Sequence, residues 1–232
     1  RRFRDNLFTL THIARDPLLW YAEEGSVLSD LRETLNLTES ALRQFESSGT
    51  RPARSYGLDE GILAMANVIE SRVDRLFDRM ERLKELRQSV FRLGTVLNGA
   101  TCGMTPRLDE IDALAKSVVA GALVNTESLT LVTAEATDLA IRVSAHSLNV
   151  AQVVARLVAG VPAWREECAL AVTAALLQDL GMVQVPAHVL DSPDPLTTPQ
   201  RTLIRQHPRM SAAIVRQIRG HDERLVAAVS QH

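Results

Sequence analysis

Four residues combine a type and a position suited to metal or acid–base chemistry: His146, Asp179, His207 and His232. Each falls at or beside the apolar face of an amphipathic stretch. Taken singly, a histidine on such a face is more often a hydrogen-bonded structural residue than a ligand. An aspartate near a helix end is often just a solvated terminal acid. Asp179 stands apart through its neighbours, Leu176-Leu177 before it and Leu180-Gly181 after it. A carboxylate held at the end of an apolar helix calls for a compensating partner, either a metal or a hydrogen-bonded ligand to one. A fifth candidate, Gly94–Thr101, half-resembles a phosphate-binding loop. It carries Ala100 where the lysine belongs, and no apolar β-run precedes it. Gly94 to Gly103 is read instead as a hinge that breaks a helix.

The elements that must position these groups are mostly helical in pattern. From Thr105-Pro106 onwards, one stretch opens at Leu108-Asp109-Glu110 and reaches about Val124, and another covers about Glu127 to Leu139. A third, Leu139–Ala159, carries His146 among Val143, Val150, Val153, Val154 and Leu157. A fourth runs from Arg165 to about Leu180, with Gly181 as its stop signal. Val183-Gln184-Val185-Pro186 reads as extended, and Asp191–Thr198 as a proline-rich connection. Thr198 is expected to cap a helix with Pro199 at its first position. That helix runs towards Arg219 with a break near His207-Pro208, and Asp222–Ser230 begins another.

Upstream, Ile62, Ile69, Leu76, Leu83, Val90 and Leu97 recur every seven residues. Ala66, Val73 and Met80 accompany the first half of this row, and Leu86 and Leu93 the second, a phase shift near Leu83. Between Leu58 and Leu93 the chain also carries seven acidic and seven basic residues. Two readings stay open: a surface helix packed on its own domain, or a dimeric signalling coiled coil. Residues 1–57 mix signals. Pro17–Ala22 is a short apolar run suited to a strand, Ser29-Asp30 caps a helix, Thr38-Glu39-Ser40 precedes another, and Ser47–Gly57 reads as a loop. A small α+β module fits this part, and it offers no chemistry.

Composition bounds the function. The chain has 232 residues, 46% of them hydrophobic, with a mean hydropathy of −0.01, which excludes disorder and a membrane-spanning array. Aromatics are only 4%, tipping the balance towards helix. A net charge of −2 provides no global basic field for nucleic acid. Cys102 and Cys168 share no motif, so a disulfide framework is not expected and a reducing, cytoplasmic setting fits. Beginning at Arg1 and stopping at Ser230-Gln231-His232, the chain reads as a fragment.

Residues 138–232 resemble the HD-GYP subgroup of the HD phosphohydrolase superfamily. The matching stretches are His146-Ser147-Leu148-Asn149-Val150-Ala151 and Ala175-Leu176-Leu177-Gln178-Asp179-Leu180-Gly181-Met182. Val185-Pro186 with Val189-Leu190 and Leu196-Thr197 follow. Ile204-Arg205-Gln206-His207-Pro208-Arg209-Met210-Ser211 and Val229-Ser230-Gln231-His232 complete the set. The resemblance implies a metal-dependent phosphodiesterase acting on cyclic di-GMP in bacterial signalling. It implies a site of two or three cations, usually iron or manganese, that clamp the phosphodiester for in-line attack, bridged by an aspartate. His146 then takes the first-histidine place, Asp179 the bridging (and, in an active enzyme, catalytic) place, His207 the His-Pro place and His232 the first of a later pair.

Three positions depart from that pattern. Gln178 stands where the defining histidine belongs, and an amide is a poor ligand for a divalent transition metal. Met182 stands where a lysine meets the substrate phosphate, and a thioether carries no charge. Arg142 occupies a place where trinuclear members carry a glutamate ligand. The Gly-Tyr-Pro segment is expected beyond His232. The resulting expectation is a mainly α signalling protein: an α+β regulatory module over 1–57, a connecting and dimerising helix with hinge over 58–104, and an HD-GYP-like helical domain over 105–232. Catalysis is impaired and one iron or manganese site at most survives. The partners expected are a cyclic dinucleotide and a second copy docked through the 58–97 helix, with no nucleic acid and no membrane segment. A residual one-metal phosphodiesterase and a non-catalytic HD-type output domain are the alternatives.

Overall fold

A computed structural model describes residues 5, 8–9, 25–47, 56–102, 104, 108–124, 129–134, 138–219 and 222–232. The chain divides into two compact units, residues 1–85 and 86–232. Among the described residues there is no strand, and no helix is long and apolar enough to cross a membrane. The strand expected over Pro17–Ala22 and most of the loop expected over Ser47–Gly57 lie outside the described residues.

In the first unit α1 spans Gly25–Ser47 and α2 begins at Tyr56, running to Thr101. The caps expected at Ser29-Asp30 and Thr38 fall inside α1, which is continuous. Its threonines are tolerated because the buried Thr34 and Thr38 hydroxyls donate to Asp30 O and Thr34 O, each at 2.7 Å. The Leu31 and Ala41 side chains share one core cluster with Ile69, Val73, Leu76 and Met80 of α2. Arg72 and Arg79 of α2 pair with Glu33 and Asp30 of α1.

From Ile69 onwards the sevenfold row of α2 is consumed inside the chain. Ile69, Leu76, Leu83, Val90 and Leu97 are all buried by the chain's own residues, which is the arrangement of a helix packed on its own fold. Gly94 does not break α2. A Cβ there would lie 2.5 Å from Ile141 Cδ1, so the missing side chain lets α2 approach its neighbour closely. The Gly94–Thr101 stretch is accordingly helix and not a loop.

In the second unit α3 spans Leu108–Val124, α4 Leu139–Ala159 and α5 Cys168–Leu177. Short helices α6 (Ala187–Leu190) and α7 (Thr198–Ile204) lead to α8 (His207–Arg219) and α9 (Glu223–Ser230). Helices α4 and α5 form the central pair, with α3 against both; α9 packs on α5, and α8 packs on α9 and on the turn after α5. Leu148, Leu176, Leu177, Val215, Leu225 and Val229 are buried in the interior.

Local differences from the sequence reading have local causes. Residues 129–134 are not helical. Asn149 of α4 holds this segment at two points, accepting from Val132 N at 2.9 Å and donating to Val132 O at 2.8 Å. That side-chain pairing replaces the helical backbone partners a helix over 127–139 would need. Residues Pro162–Glu167 form a 3-10 segment, so α5 starts at Cys168 and not at Arg165. A second 3-10 segment, Leu180–Gln184, takes up half of the stretch expected to be extended. The cap of α7 is Thr197, in a reciprocal capping box with Gln200.

Candidate metal centre

Asp179 sits in the turn that ends α5, and the turn is built to hold it. Apolar Leu176, Leu177 and Leu180 anchor both flanks in the core, leaving the Asp179 side chain 10% exposed. Gly181 permits the next step. A Cβ there would meet His207 O at 2.4 Å, Met210 Cβ at 2.7 Å and Ser211 N at 2.8 Å. The first turn of α8 therefore rests directly on this backbone. Ser211 locks the contact: its buried hydroxyl donates to Gln178 O at 2.6 Å and accepts from Gly181 N at 2.8 Å. Sequence reasoning took Gly181 for a helix stop and did not single out Ser211, because both roles depend on a helix thirty residues away.

Three imidazoles surround the carboxylate. His207 Nε2 lies 3.2 Å from Asp179 Oδ1, His232 Nε2 lies 3.5 Å from the same oxygen, and His146 Nε2 lies 3.5 Å from Oδ2. The four expected site residues are thus brought together from α4, the α5 turn, α8 and the end of α9. Their roles differ. Ligand atoms of Asp179, His207 and His232 converge within 4.8 Å of one another, whereas His146 is 64% exposed and lies outside that group. The His207 and His232 rings meet edge to face with centroids 5.3 Å apart.

His207 provides the test of whether a cation fits. Its Nδ1 lies 2.7 Å from Ile204 O, and a carbonyl only accepts, so Nδ1 carries the hydrogen. In the neutral ring Nε2 is then a lone pair pointing at a carboxylate oxygen. Nε2 is buried and makes no hydrogen bond, although Asp179 Oδ1 is 3.2 Å away. Two acceptors facing each other in a buried site are stable only with positive charge between them; a proton on Nε2 would supply it as an ion pair with Asp179, and a divalent cation fits the same place. The orienting carbonyl behind the ring is the partner that metal-binding histidines commonly have.

The substituted positions are equally plain. The Gln178 amide Nε2 donates to Asp179 Oδ2 at 3.3 Å, both side chains being buried. Met182 follows one turn later in the 3-10 segment, its N–H donating to Asp179 O at 2.9 Å. Arg142, one turn before His146 on α4, pairs with Asp191 at 2.7 Å, so its charge is met by a carboxylate just after α6.

Nitrogen and oxygen donors of Asp179, His207 and His232 gathered around one buried acid are a set that could hold a divalent metal. Residues 143–232 match the family model of the HD domain. The match supports the HD phosphohydrolase superfamily for this segment and spans all four site residues. An HD domain is of a metal-dependent phosphohydrolase type, in keeping with the His/Asp group at Asp179. No curated protein and no solved structure matches the chain.

Proposed function

We propose that residues 105–232 are an HD-GYP-type domain, related to cyclic di-GMP phosphodiesterases, whose catalysis is impaired by Gln178 and Met182. It serves a bacterial signalling protein in which residues 1–57 are a regulatory input and residues 58–104 the connection. The observation that carries this reading is a buried carboxylate with imidazole nitrogens at 3.2, 3.5 and 3.5 Å. Bound there, an iron or manganese ion would supply Lewis-acid polarisation of a phosphoryl oxygen.

The chain's own residues set what can follow. Asp179 and His207 are pre-oriented, one by its turn and the other by Ile204 O. Met182 offers no cation to a phosphate, and the Arg142 guanidinium is engaged by Asp191. Phosphate recognition is therefore the weakest part of the site. Convergence of Asp179, His207 and His232 favours a second reading, a slow phosphodiesterase retaining that one cluster. Self-association through α2 falls to outward side chains such as Phe77, 44% exposed, because the sevenfold row is already covered.

Incubation of the metal-loaded chain with cyclic di-GMP separates the readings. Negligible hydrolysis is expected, and Gln178→His with Met182→Lys should raise both metal content and turnover. Chelator-sensitive turnover by the wild type that the double substitution leaves unchanged would overturn the impairment.

A further inference from the structure

The two oxygens of Asp179 face different chemistry. Oδ1 looks towards His207 Nε2 at 3.2 Å and His232 Nε2 at 3.5 Å, two ring nitrogens able to present lone pairs. Oδ2 accepts an N–H from Gln178 at 3.3 Å and has His146 Nε2 at 3.5 Å. The amide nitrogen has no lone pair to offer a cation, and its N–H sets a positive end beside Oδ2 where a second cation would need a ligand. Gln178 is only 9% exposed. Its amide cannot turn to water, and giving up Asp179 would leave an N–H unmatched.

We infer that Gln178 makes this a one-cation centre. Its amide occupies the Oδ2 side in place of a metal. A single divalent transition cation is held by Asp179 Oδ1, His207 Nε2 and His232 Nε2, while His146 stays out of the coordination shell. The inference rests on reading Asp179 as a metal ligand and adds the side of the carboxylate that takes the single cation and the group that blocks the other side. It also gives the substitution a physical role: the amide satisfies a buried carboxylate oxygen that would otherwise face an imidazole alone.

Manganese(II) is titrated into the metal-stripped chain of residues 1–232, with binding followed by calorimetry and the bound ion by electron paramagnetic resonance. The wild type should take one equivalent and give the spectrum of an isolated ion. Gln178→His should approach two equivalents, with the broadened spectrum of two ions near each other. The near-isosteric Gln178→Glu should do the same, which keeps the test available if the histidine variant folds poorly. Two equivalents and a coupled spectrum in the wild type would overturn the inference, as would one equivalent in both folded variants. No manganese in any of the three chains would overturn the metal-centre reading itself, a result distinguishable from a wrong count.

Discussion

Replacing Gly181 by alanine puts one methyl group against backbone that cannot rotate away. The new Cβ would lie 2.4 Å from His207 O and 2.8 Å from Ser211 N, where ordinary contact begins near 3.4 Å. The first turn of α8 must retreat by about 1 Å, roughly twice the ~0.5 Å within which a functional constellation has to be held. Overpacking of this kind costs about 1–3 kcal/mol, and weakening the two Ser211 hydroxyl bonds adds about 1 kcal/mol. A total near 2–4 kcal/mol corresponds to a fall in Tm of roughly 4–16 °C for a chain of this size. His207 moves with the backbone that carries it, so manganese affinity should fall at least about tenfold, or ~1.4 kcal/mol. Gly121→Ala in α3 is the control. Nothing lies within 4 Å of its Cβ position, and a helix-interior alanine there should gain about 0.5–1 kcal/mol. Thermal melts with and without manganese check both. A Gly181→Ala chain with wild-type Tm and wild-type manganese affinity would refute the close-approach account.

Three further outcomes follow from single side chains. Ser211→Ala should cost about 2–4 kcal/mol in denaturant unfolding, because Gln178 O and Gly181 N lose their shared partner in a buried place; Ser211→Thr should recover part of it. Asn149→Ala removes both side-chain bonds to Val132, and hydrogen exchange at the Val132 amide should accelerate by about tenfold or more, with a stability loss of about 1–3 kcal/mol. Burial raises the Cys168 thiol pKa above its usual value, so little thiolate forms there at neutral pH, and the thiol is shielded from solvent while Cys102 is exposed. A thiol reagent should accordingly label one cysteine per native chain and two after unfolding.

Much of the second unit was legible because its cues are local. Helices α3 and α4 follow from periodicity at the residues expected, the break at His207-Pro208 from proline chemistry, and the resemblance picked out Asp179 and its three histidines. What was not legible depends on distant partners. Gly94 and Gly181 read as breakers, yet each marks a place where another helix comes close. Residues 127–139 have helical composition, but Asn149, seventeen residues from Val132, offers the backbone an alternative. The sevenfold row of α2 is the same whether it meets its own chain or a second copy, and only packing shows that it is covered. By resemblance Arg142 stands at a place for a glutamate ligand, and only the fold shows the carboxylate of Asp191 meeting it.

The most direct measurement compares manganese binding by the wild type and Asp179→Asn. The amide keeps the shape of the side chain but removes the charge on which three imidazoles converge. Binding should drop at least a hundredfold while the Tm of the metal-free chain changes little. Equal manganese affinity in the two chains would contradict a centre built on Asp179.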